Sequence, residues 1–226
     1  MSERVRVAVI GGGIVGCSVL AALARAGWTD CLLLERRELT SGSTWHAAGN
    51  TTYFGPYAAM TRLFIDSIRL YTEAERETGQ DVGFHGAGSL RLATSQAELE
   101  IYQSLIPQYE ALGVPYRIVS NEEAQVLHPL LNTDGLFGAA STPTDGHVDS
   151  YGATIAMAKQ ATGRGAQIWR YCPVERVEPA DGKWRLHTPR GTVLAEHVVV
   201  AASFWARELL EPLGLNLPPF NLVGFS

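Results

Sequence analysis

Three glycines and an acid carry the chemistry that can be read directly from this chain. Gly11, Gly13 and Gly16 fit G-x-G-x-x-G. In that spacing the first glycine permits a tight turn, the second lets main chain approach a pyrophosphate, and the third lets a helix lie close on a strand. The N–H groups opening such a helix, together with its dipole, favour negative charge. Glu35 stands 24 residues after Gly11, near the spacing at which a carboxylate takes the ribose hydroxyls of a dinucleotide. An acid there argues against a 2′-phosphate, although Arg36 and Arg37 follow it directly. His46, taken alone, reads as a loop histidine donating to a carbonyl.

These groups need a scaffold, and the flanking residues predict one. Residues 5–10 are apolar and β-branched, a strand; a small-residue helix runs from residue 14 to about 25, with Gly27 placed for a left-handed cap, and residues 32–35 form a second strand. Residues 36–50 are too small and polar for a core element and read as a loop. A helix over about 57–78 shows Met60, Leu63, Phe64, Ser67, Ile68 and Tyr71 on one face. From about residue 83 the pattern turns β-rich, with period-two alternation over 88–94, helices over 96–112 and 122–127, and a strand between them at 115–120. Asp149 or Ser150 is placed to cap a helix over 151–164. Strands are expected at 167–171, 174–179, 184–188, 193–194 and 197–202, the last buried on both faces. The fold class is α/β (α+β mixed): a Rossmann-like nucleotide domain (1–82 and 146–212), an inserted β-rich substrate-side domain (83–145), and a divergent tail (213–226).

Composition narrows the partners. The 226 residues are 46% hydrophobic and 18% charged, with a net charge of −5 and no basic stripe, which excludes a nucleic-acid footprint. No apolar run approaches the roughly 20 residues of a membrane span. Cys17, Cys31 and Cys172 form no C-x-x-C pair and the six histidines show no metal-ligand spacing, so no metal is expected and a reducing compartment is. A capped turn accounts for Asp145, His147 and Asp149 without a metal. The first strand begins close to Met1, leaving no room for a targeting segment, so a cytoplasmic location is expected.

The segment Glu35-Arg36-Arg37, then Leu39-Thr40-Ser41-Gly42-Ser43-Thr44-Trp45-His46-Ala47-Ala48-Gly49, resembles the flavin loop of the dimethylglycine and sarcosine dehydrogenases, within the D-amino-acid-oxidase-like family of FAD enzymes. Thr51 to Phe54, Asp66 to Tyr71, Gly88 to Thr94 and Asp145 to Asp149 agree with it. The resemblance implies FAD, with His46 bonded to the flavin 8α carbon. Beside the Gly11, Gly13 and Gly16 turn it implies that Ile14, Val15, Glu35 and Arg36 line the ADP part, and that Gly42, Ser43, Thr44, Trp45, His46, Ala47, Ala48, Gly49 and Asn50 line the pyrophosphate and flavin. Val174 falls on a strand whose backbone meets the adenine side, and Trp205 beside the cofactor. The implied reaction is oxidation of a small N-methyl amine by hydride transfer to the flavin, with an electron-transfer flavoprotein or oxygen as final acceptor and tetrahydrofolate only in longer relatives. No proton-transfer catalyst is identified. Two departures stand out: Ser203 replaces a customary glycine beside the nucleotide, where a side chain would crowd it, and the sequence after Leu215 leaves the family pattern, so the chain reads as truncated. A catalytically silent FAD-binding fragment and a non-covalent FAD enzyme with another amine substrate therefore stay open.

Overall fold

The structure, a computed structural model, describes residues 2–55 and 57–218. In chain order its elements are β1 (Ser2–Ile10), α1 (Ile14–Arg25), β2 (Cys31–Leu34), β3 (Asn50–Thr51), α2 (Ala58–Thr78), β4 (Ser89–Ala93), α3 (Gln96–Ser104), α4 (Ile106–Ala111), β5 (Arg117–Val119), α5 (Asn121–Leu127), β6 (Gly138–Thr142), β7 (Gly146–His147), α6 (Ser150–Gly163), β8 (Gln167–Trp169), β9 (Arg176–Ala180), β10 (Lys183–Thr188), β11 (Gly191–Val200) and α7 (Ala206–Leu210). They cluster into two compact units, one of Met1–Ala48, Glu73–Val82 and Asp149–Ser226, the other of Gly49–Thr72 and Gly83–Val148.

The first unit is built on a six-stranded sheet in the order β8-β2-β1-β11-β10-β9. The four strands β8, β2, β1 and β11 run parallel, and β10 and β9 continue the sheet antiparallel. Val5, Ala8, Ile10, Leu32, Leu34, Val177, Leu186, Val193 and Ala195 form its core, each large aliphatic side chain contributing about 1.5–3 kcal/mol by leaving water. Helices α1 and α6 pack on each other through small residues: Gly16, Cys17, Ala21 and Ala24 from one, Ala153, Ala156, Met157 and Ala161 from the other, all buried. Asp149 caps α6, its carboxylate accepting from the Tyr151 and Gly152 N–H groups at 3.0 Å. Gly27 ends α1 with φ +83°.

Four local expectations are corrected. The 96–112 helix breaks into α3 and α4 at Leu105, because Pro107 has no N–H and its ring opposes a continuous ladder. The two expected strands at 193–194 and 197–202 are one strand, β11: β10 pairs with it only as far as Ala195, and the parallel pairing with β1, from Val5 opposite Ala195 to Ile10 opposite Val200, carries it across the expected gap. Its last residues, Val198 to Val200, are half-buried rather than enclosed on both faces, since they reach the carboxyl edge where the sheet gives way to loops. The apolar stripe of α2 also differs: Met60 and Leu63 are exposed, and Thr61, Ile68 and Ala74 are the buried positions.

The second unit holds a three-stranded antiparallel sheet in the order β4-β6-β5, and the β3-β7 pair extended by a bridge between His85 and His147. Its largest fully buried side chain is Tyr109, stacked on Tyr116 with ring centroids 4.4 Å apart and on Phe54 at 6.0 Å. The Tyr109 hydroxyl accepts from the Gly55 N–H at 3.0 Å and donates to the Gly55 carbonyl at 3.1 Å. Among the described residues no helix is long and apolar enough to cross a membrane.

Candidate functional site

In a doubly wound sheet a ligand crevice opens at the carboxyl edge, where the connections from adjacent strands diverge to opposite sides. Here that place lies between β1 and β11, since β2 and β8 extend the sheet beyond β1 while β10 and β9 extend it beyond β11. Gly11 leaves β1 there with φ +111°, a conformation that favours glycine. A Cβ on it would stand 2.5 Å from the Ala201 carbonyl oxygen. A Cβ on Gly16 would fall on the Gly11 carbonyl oxygen, and one on Gly13 would lie 2.8 Å from Thr44 Oγ1. Gly11 and Gly16 thus hold backbone against backbone, and Gly13 makes room for the Thr44 side chain.

The N-terminus of α1 carries no cap from its own Gly13. Instead the Ile14 N–H donates to Thr44 Oγ1 at 3.0 Å, from 30 residues along the chain. The Glu35 carboxylate accepts the Gly12 N–H at 2.7 Å through one oxygen and the Arg37 N–H at 2.8 Å through the other. Two of the turn's N–H groups are therefore already engaged. Those of Gly13 and Val15 meet no protein acceptor among the described residues and remain available to an anion. Each Glu35 oxygen keeps a lone pair for a hydroxyl donor.

The following loop is fastened from several sides. Thr40, 3% exposed and at φ +71°, donates its N–H to the Gly12 carbonyl at 2.9 Å and accepts the Trp45 N–H at 3.1 Å. Ser43 to His46 form a single tight 3₁₀ turn, in which Thr44 is buried and Ser43, Trp45 and His46 are exposed. Ser150 Oγ donates to the Thr44 carbonyl at 3.0 Å. Ser43 Oγ lies 2.8 Å from Ser203 Oγ. Arg36 stacks its guanidinium over the Trp205 ring at 3.8 Å, and a Cβ on Gly42 would touch that ring at 3.3 Å. Ala47 and Ala48 are exposed, as are Val15 (61%) and Trp45 (66%), so the turn and the loop both present apolar surface.

Of the residues singled out from sequence, Gly11 to Gly16, Glu35, Arg36, Gly42 to Ala48 and Trp205 all belong to the first unit. Val174 does too; it lies outside β9 and packs its side chain on the sheet core. Gly49 and Asn50 belong to the second unit. There Gly49 takes φ +73°, a Cβ on it would strike the Val148 carbonyl, and Asn50 pairs with His147. Asp145, His147 and Asp149 do three different jobs: Asp145 is a buried acceptor, His147 a strand residue, Asp149 a helix cap. No group of three metal-ligating side chains occurs among the described residues.

Sequence reasoning missed three features. Thr44 Oγ1 as the partner of α1 left no local signal, because its acceptor role depends on a contact 30 residues away. The Ser43–Ser203 pair spans 160 residues. In the second unit Asp145, 2% exposed, accepts from Thr52 Oγ1 (2.9 Å), the Tyr53 N–H (2.7 Å), Ser89 Oγ (2.6 Å) and Arg91 (3.2 Å). Arg91 in turn lies over Phe54 at 4.0 Å.

Electrostatics around the first site are uneven. Burial, then the Glu35 charge, pushes the Cys17 thiol up to about 12, so it is no nucleophile at neutral pH. Hydrogen bonds from Tyr171 and Arg170 hold the Glu38 carboxyl below its ordinary range.

A cradle closed to any Cβ at Gly11 and Gly16, free amides at Gly13 and Val15, an acid within reach of the turn and exposed apolar side chains beside it together fit a dinucleotide. Comparison with known proteins agrees. Residues 6–224 match a family model described as FAD dependent oxidoreductase (DAO). The chain is 43% identical to dimethylglycine dehydrogenase, mitochondrial, of Rattus norvegicus over 96% of its own length and 25% of that protein. It is 36% identical to sarcosine dehydrogenase, mitochondrial, of Homo sapiens over 96% of this chain and 24% of that one. Among solved structures, L-proline dehydrogenase from P. horikoshii superposes with a TM-score of 0.87 at 28% identity, covering 96% of this chain and 58% of that one. The chain therefore spans about a quarter of the length of the curated relatives it matches.

Proposed function

The chain belongs to the DAO family of FAD-dependent oxidoreductases, and from that premise we propose that it supplies the FAD-holding part of an enzyme that oxidises small N-methyl amines of the dimethylglycine or sarcosine type. The observation that carries the reading is the turn from β1 into α1, beside the end of β11, where Gly11 and Gly16 leave room for main chain alone. Residues 1–82 and 146–212 act as the nucleotide domain and 83–145 as the substrate side. Gly13 and Val15 offer N–H groups to the pyrophosphate, Glu35 takes ribose hydroxyls, and Ile14 and Arg36 flank the ADP. The backbone at Val174 meets the adenine side. Ser43, Thr44, Trp45, Ala47, Ala48, Gly49 and Asn50 line the flavin side, with Trp205 beside it. His46 tethers the cofactor through its imidazole, a role that its exposed place at the end of the 3₁₀ turn supports. When bound, FAD supplies a hydride acceptor for the N-methyl carbon. An electron-transfer flavoprotein or oxygen removes the electrons, and the protein works in the cytoplasm.

Purification followed by acid precipitation tests the tether. Flavin colour that stays in the pellet, and is lost from it in His46→Ala, is the expected result; yellow protein that yields a colourless pellet replaces the tether with non-covalent FAD. Dimethylglycine or sarcosine should bleach the flavin under anaerobic conditions, and failure of both removes the amine-oxidising role from this chain. Cell fractionation tests the compartment.

A further inference from the structure

Four described residues other than glycine have positive φ: Thr40 (71°), Tyr171 (54°), Asp181 (50°) and Ser203 (52°). Asp181 precedes Gly182 in the tight turn joining β9 and β10, where such angles are ordinary. The other three all hold the loop between Glu35 and His46. Thr40 ties it to Gly12, and Tyr171 donates its N–H to the Arg37 carbonyl at 3.3 Å and its hydroxyl to Glu38 at 2.8 Å. Ser203 bonds Ser43. Left-handed backbone at residues with a Cβ persists only where the surroundings over-determine it, and such strain concentrates at ligand clamps. Its clustering around a single loop points to that loop being held in advance of a ligand.

Ser203 follows Ala201 and Ala202, the residues against which the Gly11 turn abuts. Its hydroxyl and that of Ser43 are both exposed and 2.8 Å apart. When one hydroxyl donates to the other, the pair retains one O–H donor for an anion. We propose that Ser203 is a positioning residue for the dinucleotide: its hydroxyl latches Ser43, fixes the 3₁₀ turn Ser43–His46, and leaves the pair's remaining O–H for the pyrophosphate. This reverses the expectation that a side chain at 203 crowds the nucleotide. It rests on the FAD reading only for the identity of the ligand; the latch itself belongs to the free protein.

Alanine at 203 keeps the backbone strain and removes only the hydroxyl, so Ser203→Ala isolates the latch, while Ser203→Gly removes both. Hydrogen–deuterium exchange of the ligand-free chain is the first readout. Both variants should exchange the amides of residues 43–47 about three- to tenfold faster than wild type, as expected for the loss of one hydrogen bond, with the β1 and β11 amides unchanged. Unaltered exchange at 43–47 in a folded Ser203→Ala protein overturns the latch. The second readout is FAD affinity by flavin fluorescence. Ser203→Ala should weaken binding about three- to tenfold, and adding Ser43→Ala should weaken it further, because the single change breaks the latch but leaves the Ser43 O–H to reach the pyrophosphate. Equal or tighter binding by Ser203→Ala overturns the positioning role. Wild-type chain that binds no FAD refutes the FAD reading and with it the pyrophosphate role, while the exchange result still decides the latch.

Discussion

The turn at the end of β1 and the polar knot around Asp145 solve the same problem, fixing a loop against a sheet, by opposite means. At the turn the fastening is main chain on main chain: side chains are deleted at Gly11 and Gly16 so that carbonyls and amides approach directly. At Asp145 the fastening is side chain on side chain, with one buried carboxylate collecting Thr52, Tyr53, Ser89 and Arg91. The first arrangement leaves N–H groups over for an outside anion; the second spends its carboxylate on donors of its own unit. Such unspent capacity suits the unit proposed to hold FAD, whereas a closed network suits one that holds only its own shape.

The contrast can be broken most severely at Asp145. Asp145→Ala strands the Arg91 guanidinium and three other donors, and should cost about 3–5 kcal/mol, read as a fall in the urea midpoint; a loss under 1 kcal/mol would show that the knot is dispensable. Gly11→Ala comes next. Positive φ and the 2.5 Å approach to Ala201 should together cost about 2–4 kcal/mol and abolish flavin retention, whereas Asp145→Ala protein that still folds should keep its flavin. Retention by Gly11→Ala would collapse the distinction between the two regions. Tyr109→Phe removes the hydroxyl shared by both main-chain groups of Gly55 and should cost about 1–2 kcal/mol without touching FAD affinity.

The smallest effect concerns pH. Hydrogen bonds from Arg164 and then Gln160 hold the Glu77 carboxyl below its ordinary value. A carboxyl lowered in the folded state contributes stability above its unfolded pKa and loses it as pH falls through the folded value. Stability should therefore decline slightly below about pH 4. Glu77→Gln should flatten that part of the profile, the pair being largely exposed. A profile identical to wild type would assign the acid limb to other carboxylates.

Much of the first unit was legible because its signals are local. A β-branched run, a glycine turn, a small-residue helix and an acid at fixed spacing each act within a few residues. The elements misread were those set by partners elsewhere. Ala195 and Glu196 look like a break in β11, and only its long parallel pairing with β1 carries the strand across them. Met60 and Leu63 look like core, and only the packing of α2 exposes them. Within the site, Gly11, Gly16 and Glu35 could be read, but the Thr44 cap and the Ser43–Ser203 bond could not.

The sequence by itself determined that a strand must turn into a helix through glycine at Gly11, Gly13 and Gly16, with a carboxylate at the end of the next strand, because steric limits on φ and ψ act residue by residue. Tertiary structure alone decided what that turn meets: the Ala201 carbonyl, the Thr44 hydroxyl at the helix start, and the serine pair that pins the loop. Those contacts join residues 30 to about 190 positions apart in the chain. Closing such distances depends on the whole sheet forming, which no short stretch of sequence encodes.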